Sequence, residues 1–231
     1  YEITTRLVGS EMCIRDSLDY DESNYDCEKH KKTLYDLIKR VTDVCVSLLG
    51  IVLLLPLFVA ITIIVWMDDG GNPFYEHLRI GYRGRKISIY KFRSMKMNVG
   101  DLKKILTPEQ MEQYIKEFKI DDDPRVTNIG AFLRRTSLDE LPEAFNILNG
   151  TLSICGPRPQ LVRDLTFMTK EQRMRHTAKP GLSGLAQVSG RNAISWDRKL
   201  QYDLEYIEHV SFGRDLKILF KTVEKAFIKQ E

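Results

Sequence analysis

The sequence has few of the residues that build metal centres or disulfide frameworks. Among 231 residues it has 4 cysteines and 4 histidines, and no two cysteines form a C-x-x-C pair. This scarcity and spacing argue against a zinc site. Cys45 lies inside an apolar run, as a small buried thiol does, and we expect a reducing compartment.

An excess of charge of one sign is also missing. The chain has 35 basic and 32 acidic residues, a formal net charge of +3. This balance predicts no nucleic-acid partner, so any basic site must arise from local clustering. With 43% hydrophobic residues, the chain is long enough for one substantial domain with a real core.

The first residues show neither helical nor strand periodicity. The stretch VGSEMCIRDS resembles translated adapter sequence, so residues 1–28 are interpreted as a non-native or disordered segment and excluded from the fold prediction. A basic region followed by an apolar core, the pattern of a signal peptide, does not occur here.

One long uncharged run follows. Val44–Trp66 contains no charged residue and is as long as the roughly 20 apolar residues that a membrane-spanning helix needs. An ordinary transmembrane anchor is one interpretation. Pro56, near the middle, favours another, because proline kinks or breaks a helix. Basic residues lie on both sides of the run, and basic flanks favour the cytoplasmic side.

A re-entrant helix-break-helix hairpin over residues 29–68, turning back at Pro56, keeps both flanks on the cytoplasmic side. Each half has about eleven residues, roughly 16 Å, or about one leaflet. Lys39, Arg40 and Asp43 lie where the helix enters the membrane. They are either snorkelling anchors at headgroup level or, at i,i+3 and i,i+4 spacing, an ion pair that fixes the hairpin at the interface.

The rest of the chain, residues 69–231, predicts a mainly helical α+β domain with a small β-hairpin. Ile87 and Ile89 alternate with polar residues as in a strand, and the region of Gly81 and Gly84 predicts the hairpin turn. Lys91 and Arg93 then share one strand face. Thr107-Pro108-Glu109-Gln110 has the residues of an N-cap, a first helical proline and a capping glutamine.

Two further segments each have two interpretations. The run Asp121–Asp123 matches a D-x-D metal motif, but it precedes a proline, and a loop ending in Asp-Pro is the commoner structure. The C-terminal stretch from Asp215 to Gln230 predicts an amphipathic helix with a basic face. Such a helix either packs on the core or lies on the membrane surface.

The pair Asp139–Glu140 stands out because its surroundings are basic. Pro142 places the start of a helix near Asp139, so Asp139 could be an N-cap, or Ser137 and Glu140 a capping box. Arg125, Arg134 and Arg135 precede the pair, and two prolines flank Arg158. Arginine binds phosphate through two parallel hydrogen bonds. Two carboxylates in a phosphate-binding pocket suit Mg²⁺, and one of them could also be a nucleophile.

The motifs SLDELPEAFNILNG, SICGPRP, KPGLSGLAQVSGRNAISW and IYKFRSM, in this order, resemble the bacterial sugar transferase family, the monotopic phosphoglycosyl transferases. The resemblance runs from about residue 35 to residue 227. It implies transfer of a phospho-sugar from a UDP-sugar to polyprenyl phosphate at the cytoplasmic face of the bacterial inner membrane, with release of UMP. It also implies a membrane segment broken at proline, matching Pro56, and amphipathic interfacial helices.

The resemblance assigns roles to individual residues. Asp139 would attack the sugar-bearing phosphorus and form a covalent intermediate, and Asp139 and Glu140 would hold Mg²⁺. The Pro-Arg-Pro element falls on Pro157, Arg158 and Pro159, near the nucleotide phosphates. Further substrate-binding positions are Lys91, Arg93, Arg125, Arg191 and Asn192. Ser94, His77 and Cys155 depart from common family residues, and none of them touches the acidic pair.

Two other function classes compete with this interpretation. One is an ordinary UDP-sugar glycosyltransferase that uses the Asp121–Asp123 run and releases UDP. The other is a non-catalytic membrane-anchored module that binds anionic lipid. The sequence names neither the sugar nor the glycan pathway, and a homodimer is one option for its oligomeric state.

Overall fold

The computed structural model describes residues 33–96, 105–117, 120, 122–190 and 193–228. The segment 1–28, Asp121, Arg191 and Asn192 lie outside the described residues. The chain forms two compact units. Of the described residues, those in 33–50, 77–89 and 143–228 form the first unit, and those in 51–76 and 90–142 form the second. The predicted boundary between residues 29–68 and 69–231 stays a prediction.

The uncharged run forms part of one long helix, α1, from Thr33 to Asp69. By length and composition, its residues Leu34–Asp69 could cross a membrane. Many of its large apolar side chains are exposed to the surroundings, and a patch this large marks contact with a membrane or a partner. They are Leu34, Leu37, Val41, Val46, Leu48, Leu49, Val52, Leu53, Leu55, Val59, Ile63, Ile64, Trp66 and Met67.

The predicted break at Pro56 is not found as an interruption of the helix. Pro56 lies inside α1, which is helical on both sides of it. Proline removes one backbone donor and crowds the preceding turn, so a single proline inside a long helix leaves most of the other hydrogen bonds intact. The helix-break-helix form of the prediction is therefore not confirmed, and the re-entrant path stays a prediction.

The predicted hairpin is confirmed. Strands β1 (Phe74–Ile80) and β2 (Lys86–Phe92) are neighbours in a two-stranded sheet, and a 3₁₀ turn, Tyr82–Gly84, joins them. So short a connection allows only antiparallel pairing. The turn is closed by the Gly81 N–H, which donates to the Arg85 carbonyl at 2.7 Å.

The second unit also contains α2 (Pro108–Glu117) and α3 (Asn128–Thr136). The predicted cap of α2 is confirmed, because Thr107 Oγ1 accepts from the Gln110 N–H and the Gln110 side chain accepts from the Thr107 N–H. Apolar side chains from α1, β2 and α3 form the core of this unit. The buried members are Ile61, Val65, Phe92 and Leu133.

The first unit contains the remaining elements. They are α4 (Glu143–Asn149), β3 (Ser153–Cys155), α5 (Lys170–Arg173), β4 (Gly181–Ser183), α6 (Leu185–Ser189), α7 (Trp196–Glu208) and α8 (Phe212–Ile228). Strands β3 and β4 pair in parallel, Ser153 with Gly181 and Cys155 with Ser183. The largest buried cluster of this unit surrounds the fully buried Leu152 and includes Tyr206 of α7 and Ile218 of α8.

Gly130 allows α3 to approach the segment that follows β2. A Cβ at this position would lie 2.0 Å from the Ser94 carbonyl oxygen, which is backbone and cannot turn aside. We therefore expect Gly130→Ala to destabilise the protein by about 1–3 kcal/mol through overpacking. Gly213→Ala is the matched control, since nothing lies within 4 Å of its added Cβ. Urea unfolding of both variants in the same detergent measures the difference, and equal midpoints would contradict the prediction.

Candidate active site

The acidic pair lies on a short 3₁₀ turn, Leu138–Glu140, between α3 and α4. Ser137 ends α3 in the left-handed conformation (φ 59°), and its N–H donates to carbonyls of the preceding turn. Residues three apart lie on the same side of a 3₁₀ turn. Leu138 and Leu141 both pack on the core of the second unit, which directs Asp139 and Glu140 away from it.

The capping interpretation of this turn is wrong in one respect. The Ser137 side chain makes no capping hydrogen bond to the 3₁₀ turn, because the residue already serves as the C-cap of α3. The α-helix α4 starts after Pro142, at Glu143, so Asp139 belongs to the turn before it. The two carboxylates are therefore not explained by helix capping.

Lys91 of β2 contacts both carboxylates. Its Nζ donates to Glu140 Oε1 at 2.7 Å and lies 3.9 Å from Asp139 Oδ2. The three side chains are 14–16% exposed, so each is accessible but largely withdrawn from solvent. The structure thus selects Lys91, among many basic residues, as the cation between the two acids.

The environment of Asp139 opposes its ionisation. Burial raises the pKa of the Asp139 carboxyl above its ordinary value, and the charge of Glu140 raises it further. Lys91 and Arg134 act in the opposite direction. A carboxylate that is partly desolvated and held ionised by a neighbouring cation is suited to attack an electrophile once that cation is drawn towards substrate.

Arg134 is the second cation of this cluster. Its Nε donates to Ser94 Oγ at 2.7 Å, and Ser94 itself is buried. The hydroxyl is the only part of Ser94 that this contact uses, so serine in place of the common threonine preserves it. Arg134 was noted in the sequence as a basic neighbour, and the structure brings it within electrostatic range of Asp139.

The other two predicted arginines of this unit contact local acids. The guanidinium of Arg93, just after β2, binds Asp69 and the Val65 carbonyl at the end of α1. The guanidinium of Arg125 makes a paired contact with Asp123, Nε to Oδ1 at 2.8 Å and Nη2 to Oδ2 at 2.6 Å. Neither is bonded to Asp139 or Glu140, and their predicted contacts with substrate stay predictions.

The Pro-Arg-Pro element belongs to the first unit. Pro157 and Arg158 follow β3, and the segment after β4 leaves the same edge of the parallel pair. The Arg158 carbonyl accepts from Arg175 Nη2 at 2.8 Å, and the same buried guanidinium binds Asp203 at 2.5 Å. An ion pair inside the unit therefore fixes the backbone on which Arg158 is carried.

The contacts of Lys39, Arg40 and Asp43 differ from the predicted ion pair within the helix, and the snorkelling interpretation stays a prediction. Lys39 pairs with Asp215 of α8 at 2.6 Å. Arg40 donates to the carbonyls at the end of α4, those of Ile147 and Leu148, at 2.6 Å each. Asp43 accepts from the hydroxyl and backbone of β3. Each side chain is drawn to a partner more than 100 residues away, because buried polar groups need hydrogen bonds.

Arg79 is a residue that the sequence analysis did not select. It lies on β1, is half-buried, and its charge and that of Arg158 act on each other. A signal existed, since Arg79 belongs to the same short pattern before Gly81 in which His77 departs from the common glutamine.

The residues present can supply part of a divalent-cation site. Among the described residues, no group of three or more histidines, cysteines and carboxylates is arranged to hold a metal ion. Asp139 and Glu140 offer two hard oxygen donors side by side. This fits Mg²⁺, which is commonly bound by one or two carboxylates together with phosphates of the substrate.

Replacing Lys91 tests the electrostatics of the pair. Lys91 lowers the pKa of Asp139, so Lys91→Met raises it further and moves the acidic limb of the pH–rate profile to higher pH. We expect turnover at neutral pH to fall about 10²-fold, as for loss of one electrostatic group. Lys96→Met is the control, because Lys96 is exposed on the same segment. An unchanged acidic limb would contradict the assigned coupling.

Comparisons with known proteins agree with the motifs. A family profile described as "Bacterial sugar transferase" matches residues 34–229. The chain is 41% identical over 191 residues to a "UDP-galactose-lipid carrier transferase" of Erwinia amylovora, covering 80% of this chain and 39% of that protein. It is 40% identical over 193 residues to an "Undecaprenyl-phosphate galactose phosphotransferase" of Salmonella typhimurium, covering 81% and 40%.

A shorter relative is matched over most of its length. The "Exopolysaccharide production protein ExoY" of Sinorhizobium fredii is 40% identical over 189 residues, covering 80% of this chain and 83% of that protein. By contrast, the chain spans about 40% of the length of the relatives from Erwinia amylovora and Salmonella typhimurium.

Proposed function

Because the chain belongs to the bacterial sugar transferase family, we propose that it transfers a sugar-1-phosphate from a UDP-sugar to polyprenyl phosphate. UMP leaves, and the product is a polyprenyl-diphosphate-linked sugar. This is the first membrane step in assembling a bacterial glycan. The names of the relatives support the UDP-sugar and the undecaprenyl carrier, although each name describes that relative.

The observation that carries the proposal is the cluster of Asp139, Glu140 and Lys91. Lys91 lies 2.7 Å from Glu140 and 3.9 Å from Asp139, and the two acids are carried by a turn whose leucines pack in the core. A binding module for anionic lipid has no use for two desolvated carboxylates, since these repel phosphate. A nucleophile that attacks phosphorus needs this combination of negative charge and nearby cations.

The chemistry proceeds in two displacements. An oxygen of Asp139 forms a bond to the sugar-bearing phosphorus, and the bond from that phosphorus to the bridging oxygen breaks, so UMP departs. An oxygen of polyprenyl phosphate then attacks the same phosphorus and breaks its bond to Asp139. The carboxylate is restored, and no oxidant or reductant is required. Two displacements separate the meeting of two anionic phosphates into easier steps.

The chain's own residues prepare Asp139 for this role. Lys91 and Arg134 both lower the pKa of the Asp139 carboxyl and so favour its ionised form against the effect of burial. Asp139 and Glu140 would hold Mg²⁺, which, when bound, offsets the charge of the diphosphate. Arg158, Arg191 and Asn192 stay proposed contacts of the nucleotide and its phosphates, and Arg93 and Arg125 proposed contacts of substrate.

We propose that the protein is held in the cytoplasmic face of the membrane by α1 in a re-entrant course. In the first unit, the beginning of α1 is bonded to β3, α4 and α8 through Lys39, Arg40 and Asp43. In the second unit, Ile61 and Val65 near its end pack in the core that carries the acidic turn. Each end of α1 is therefore joined to a folded part of the chain, and basic residues on both sides of the uncharged run favour the cytoplasmic side for both ends.

Helix α8 supports the same placement. One side carries the buried Asp215 and Ile218, and another side presents exposed apolar residues at helical spacing. These are Phe212, Leu216, Phe220 and Val223. Lysines flank this stripe, as in helices that lie in the headgroup region. A homodimer stays a prediction.

Cysteine labelling tests the topology. In a background with the native cysteines replaced by serine, Asp36→Cys and Asp68→Cys mark the two ends of α1 at exposed positions. We expect both to be protected from an impermeant maleimide added outside intact cells, and both to react after permeabilisation. Reaction of only one before permeabilisation would mean that α1 spans the membrane.

The leaving group tests the reaction. Purified protein is incubated with Mg²⁺, polyprenyl phosphate and a panel of UDP-sugars, and UMP and UDP are quantified separately. Acceptor-dependent UMP is the expected product, and the responding sugar identifies the donor. UDP would favour an ordinary glycosyltransferase. The D-x-D run is less suited to bind a metal for that reaction, because Arg125 donates to both carboxylate oxygens of Asp123.

A further inference from the structure

Strand β1 lies against the Pro-Arg-Pro element inside the first unit. The Ile80 N–H donates to the Gln160 carbonyl at 2.9 Å, and the two residues form an isolated antiparallel bridge. Ile80 is 1% exposed and packs in a small cluster with Leu165, Met168 and Leu200. Arg79, the neighbour of Ile80, is therefore held close to the segment that carries Arg158.

The guanidinium of Arg79 has unused donors. Among the residues that the structure describes, its hydrogen-bonding partner is His77, whose Nδ1 lies 3.3 Å from Nη2. A guanidinium has five N–H donors, so a single contact with His77 leaves further donors that could bind a ligand. Arg79 is half-buried, so water satisfies these donors less well than on an exposed strand.

Charged side chains of both signs act on Arg79, and among them Arg158 has the largest effect. Arg158 and Arg163 act on it with the same sign, and Asp164 and Glu143 act with the opposite sign. Burial, followed by the charge of Arg158, lowers the pKa of Arg79 to about 10. Asp164 is already engaged by the Leu161 N–H at 3.0 Å. The like charge of Arg158 disfavours the charged form of Arg79, and an anion placed between the two guanidinium groups would relieve this repulsion.

We propose that Arg79 and Arg158 form a two-arginine clamp for a phosphate group, with His77 orienting the Arg79 guanidinium. Arginine pairs bind phosphate through parallel hydrogen bonds, which fixes the orientation of the ligand. The fixed Arg158 backbone and the bridged β1 strand make this clamp rigid before ligand arrives. The phosphate belongs either to the nucleotide or to the lipid acceptor, and this choice of ligand rests on the proposed function.

Binding of separate probes tests the clamp without turnover. Full-length wild type, Arg79→Gln and the control Arg83→Gln are purified in one detergent, and their dissociation constants are measured for UDP, uridine and a short-chain prenyl phosphate. Arg83 is an exposed arginine of the same hairpin, so its change removes the same charge. For Arg79→Gln we expect about 10- to 100-fold weaker binding of the phosphate probe, as for loss of a charged hydrogen bond. The affinity of Arg79→Gln for uridine should stay unchanged, and so should the affinity of the control Arg83→Gln for every probe.

The probes also separate the sources of the phosphate. Weaker binding of UDP alone assigns the clamp to the nucleotide, and weaker binding of prenyl phosphate alone assigns it to the acceptor. Wild-type affinity of Arg79→Gln for both overturns the inference. If Arg79→Gln does not fold, Arg79→Lys replaces it, because lysine keeps the charge and loses the fork. We then expect a loss of at least about 3-fold, and unchanged affinities overturn the inference.

Failure of the clamp and failure of the proposed function give different results. If the wild type binds UDP through Arg79 but releases neither UMP nor UDP in the transfer assay, the clamp is supported and the proposed function is wrong. If the wild type releases UMP and Arg79→Gln equals it in binding and turnover, the proposed function is supported and the clamp is wrong.

Discussion

Asp139→Asn removes turnover while leaving the folded protein as stable as the wild type or more stable. Asparagine cannot attack phosphorus, so we expect activity to fall by about 10⁴-fold or more, as when a covalent nucleophile is removed. No phospho-sugar adduct should form on the variant. The measurement is acceptor-dependent UMP release, together with the intact mass of protein incubated with donor alone.

The stability expectation follows from the raised pKa of Asp139. A carboxyl whose pKa is higher in the folded than in the unfolded state favours folding at low pH, and this contribution is lost as the pH rises through the folded value. Asp139 therefore opposes folding once it is ionised, and asparagine removes that opposition. The melting temperature of Asp139→Asn relative to the wild type should therefore rise as the pH rises through the pKa of the folded Asp139 carboxyl.

A control variant and two possible contrary results test the role of Asp139. Asp122→Asn changes the same residue type at an exposed position of the same unit, and it should leave turnover unchanged. If Asp139→Asn keeps substantial turnover, another group is the nucleophile. If it melts well below the wild type at pH 8, Asp139 has a structural role that its surroundings do not indicate.

Arg175→Met is expected to destabilise the protein by about 3–5 kcal/mol, the loss typical of breaking a buried ion pair by removing one partner. Arg175 and Asp203 are 1% and 2% exposed, and the Arg175 guanidinium donates to Asp203 Oδ2 through two nitrogens. Methionine fills similar space but leaves the Asp203 carboxylate buried without its cation. Urea unfolding in detergent measures the loss.

The pH dependence of this defect has a definite sign. Burial raises the pKa of Asp203, and Arg175 acts to lower it. Without Arg175 the pKa rises further, so the variant is least impaired where Asp203 is protonated. The stability difference between wild type and Arg175→Met should therefore shrink as the pH falls. A difference that grows towards acid would contradict the assignment of the loss to an unpaired carboxylate.

A double variant separates this effect from lost packing. Arg175→Met with Asp203→Leu removes both charges and should recover most of the stability, since apolar residues of similar size often replace a buried ion pair without loss. The Arg158 carbonyl still loses its bond to Arg175. We therefore expect the stable double variant to bind the phosphate probe more weakly than wild type, which a purely structural role would not cause.

The sequence could predict only those contacts of the site that join residues close together in the chain. Asp139 and Glu140 are adjacent, so their proximity needed no fold. Lys91 lies 48 positions before Asp139, and only the packing of β2 beside the acidic turn distinguishes it from Arg93, two residues away, which binds the end of α1. Similar charges on one strand look alike in a sequence because side-chain partners depend on three-dimensional distance.

The same reasoning explains the corrections. Lys39 and Asp43 have the spacing of a helical ion pair, but buried acceptors and donors of β3 and α8 compete for them and prevail. A local pattern describes what a helix allows by itself. Tertiary contacts with buried groups contribute more to stability than an exposed ion pair, which contributes only about a few tenths of a kcal/mol.

From the sequence alone we could predict an apolar helical segment over residues 44–66, a β-hairpin with its turn near Gly81 and Gly84, the helix cap at Thr107, and the adjacency of the two catalytic candidates. These follow from periodicity, turn residues and caps, which act over a few residues. The three-dimensional structure was needed to show that α1 continues through Pro56, that Lys91 contacts both acids, and that Arg79 lies near Arg158. Those outcomes depend on which distant groups are buried together, and burial is a property of the whole fold.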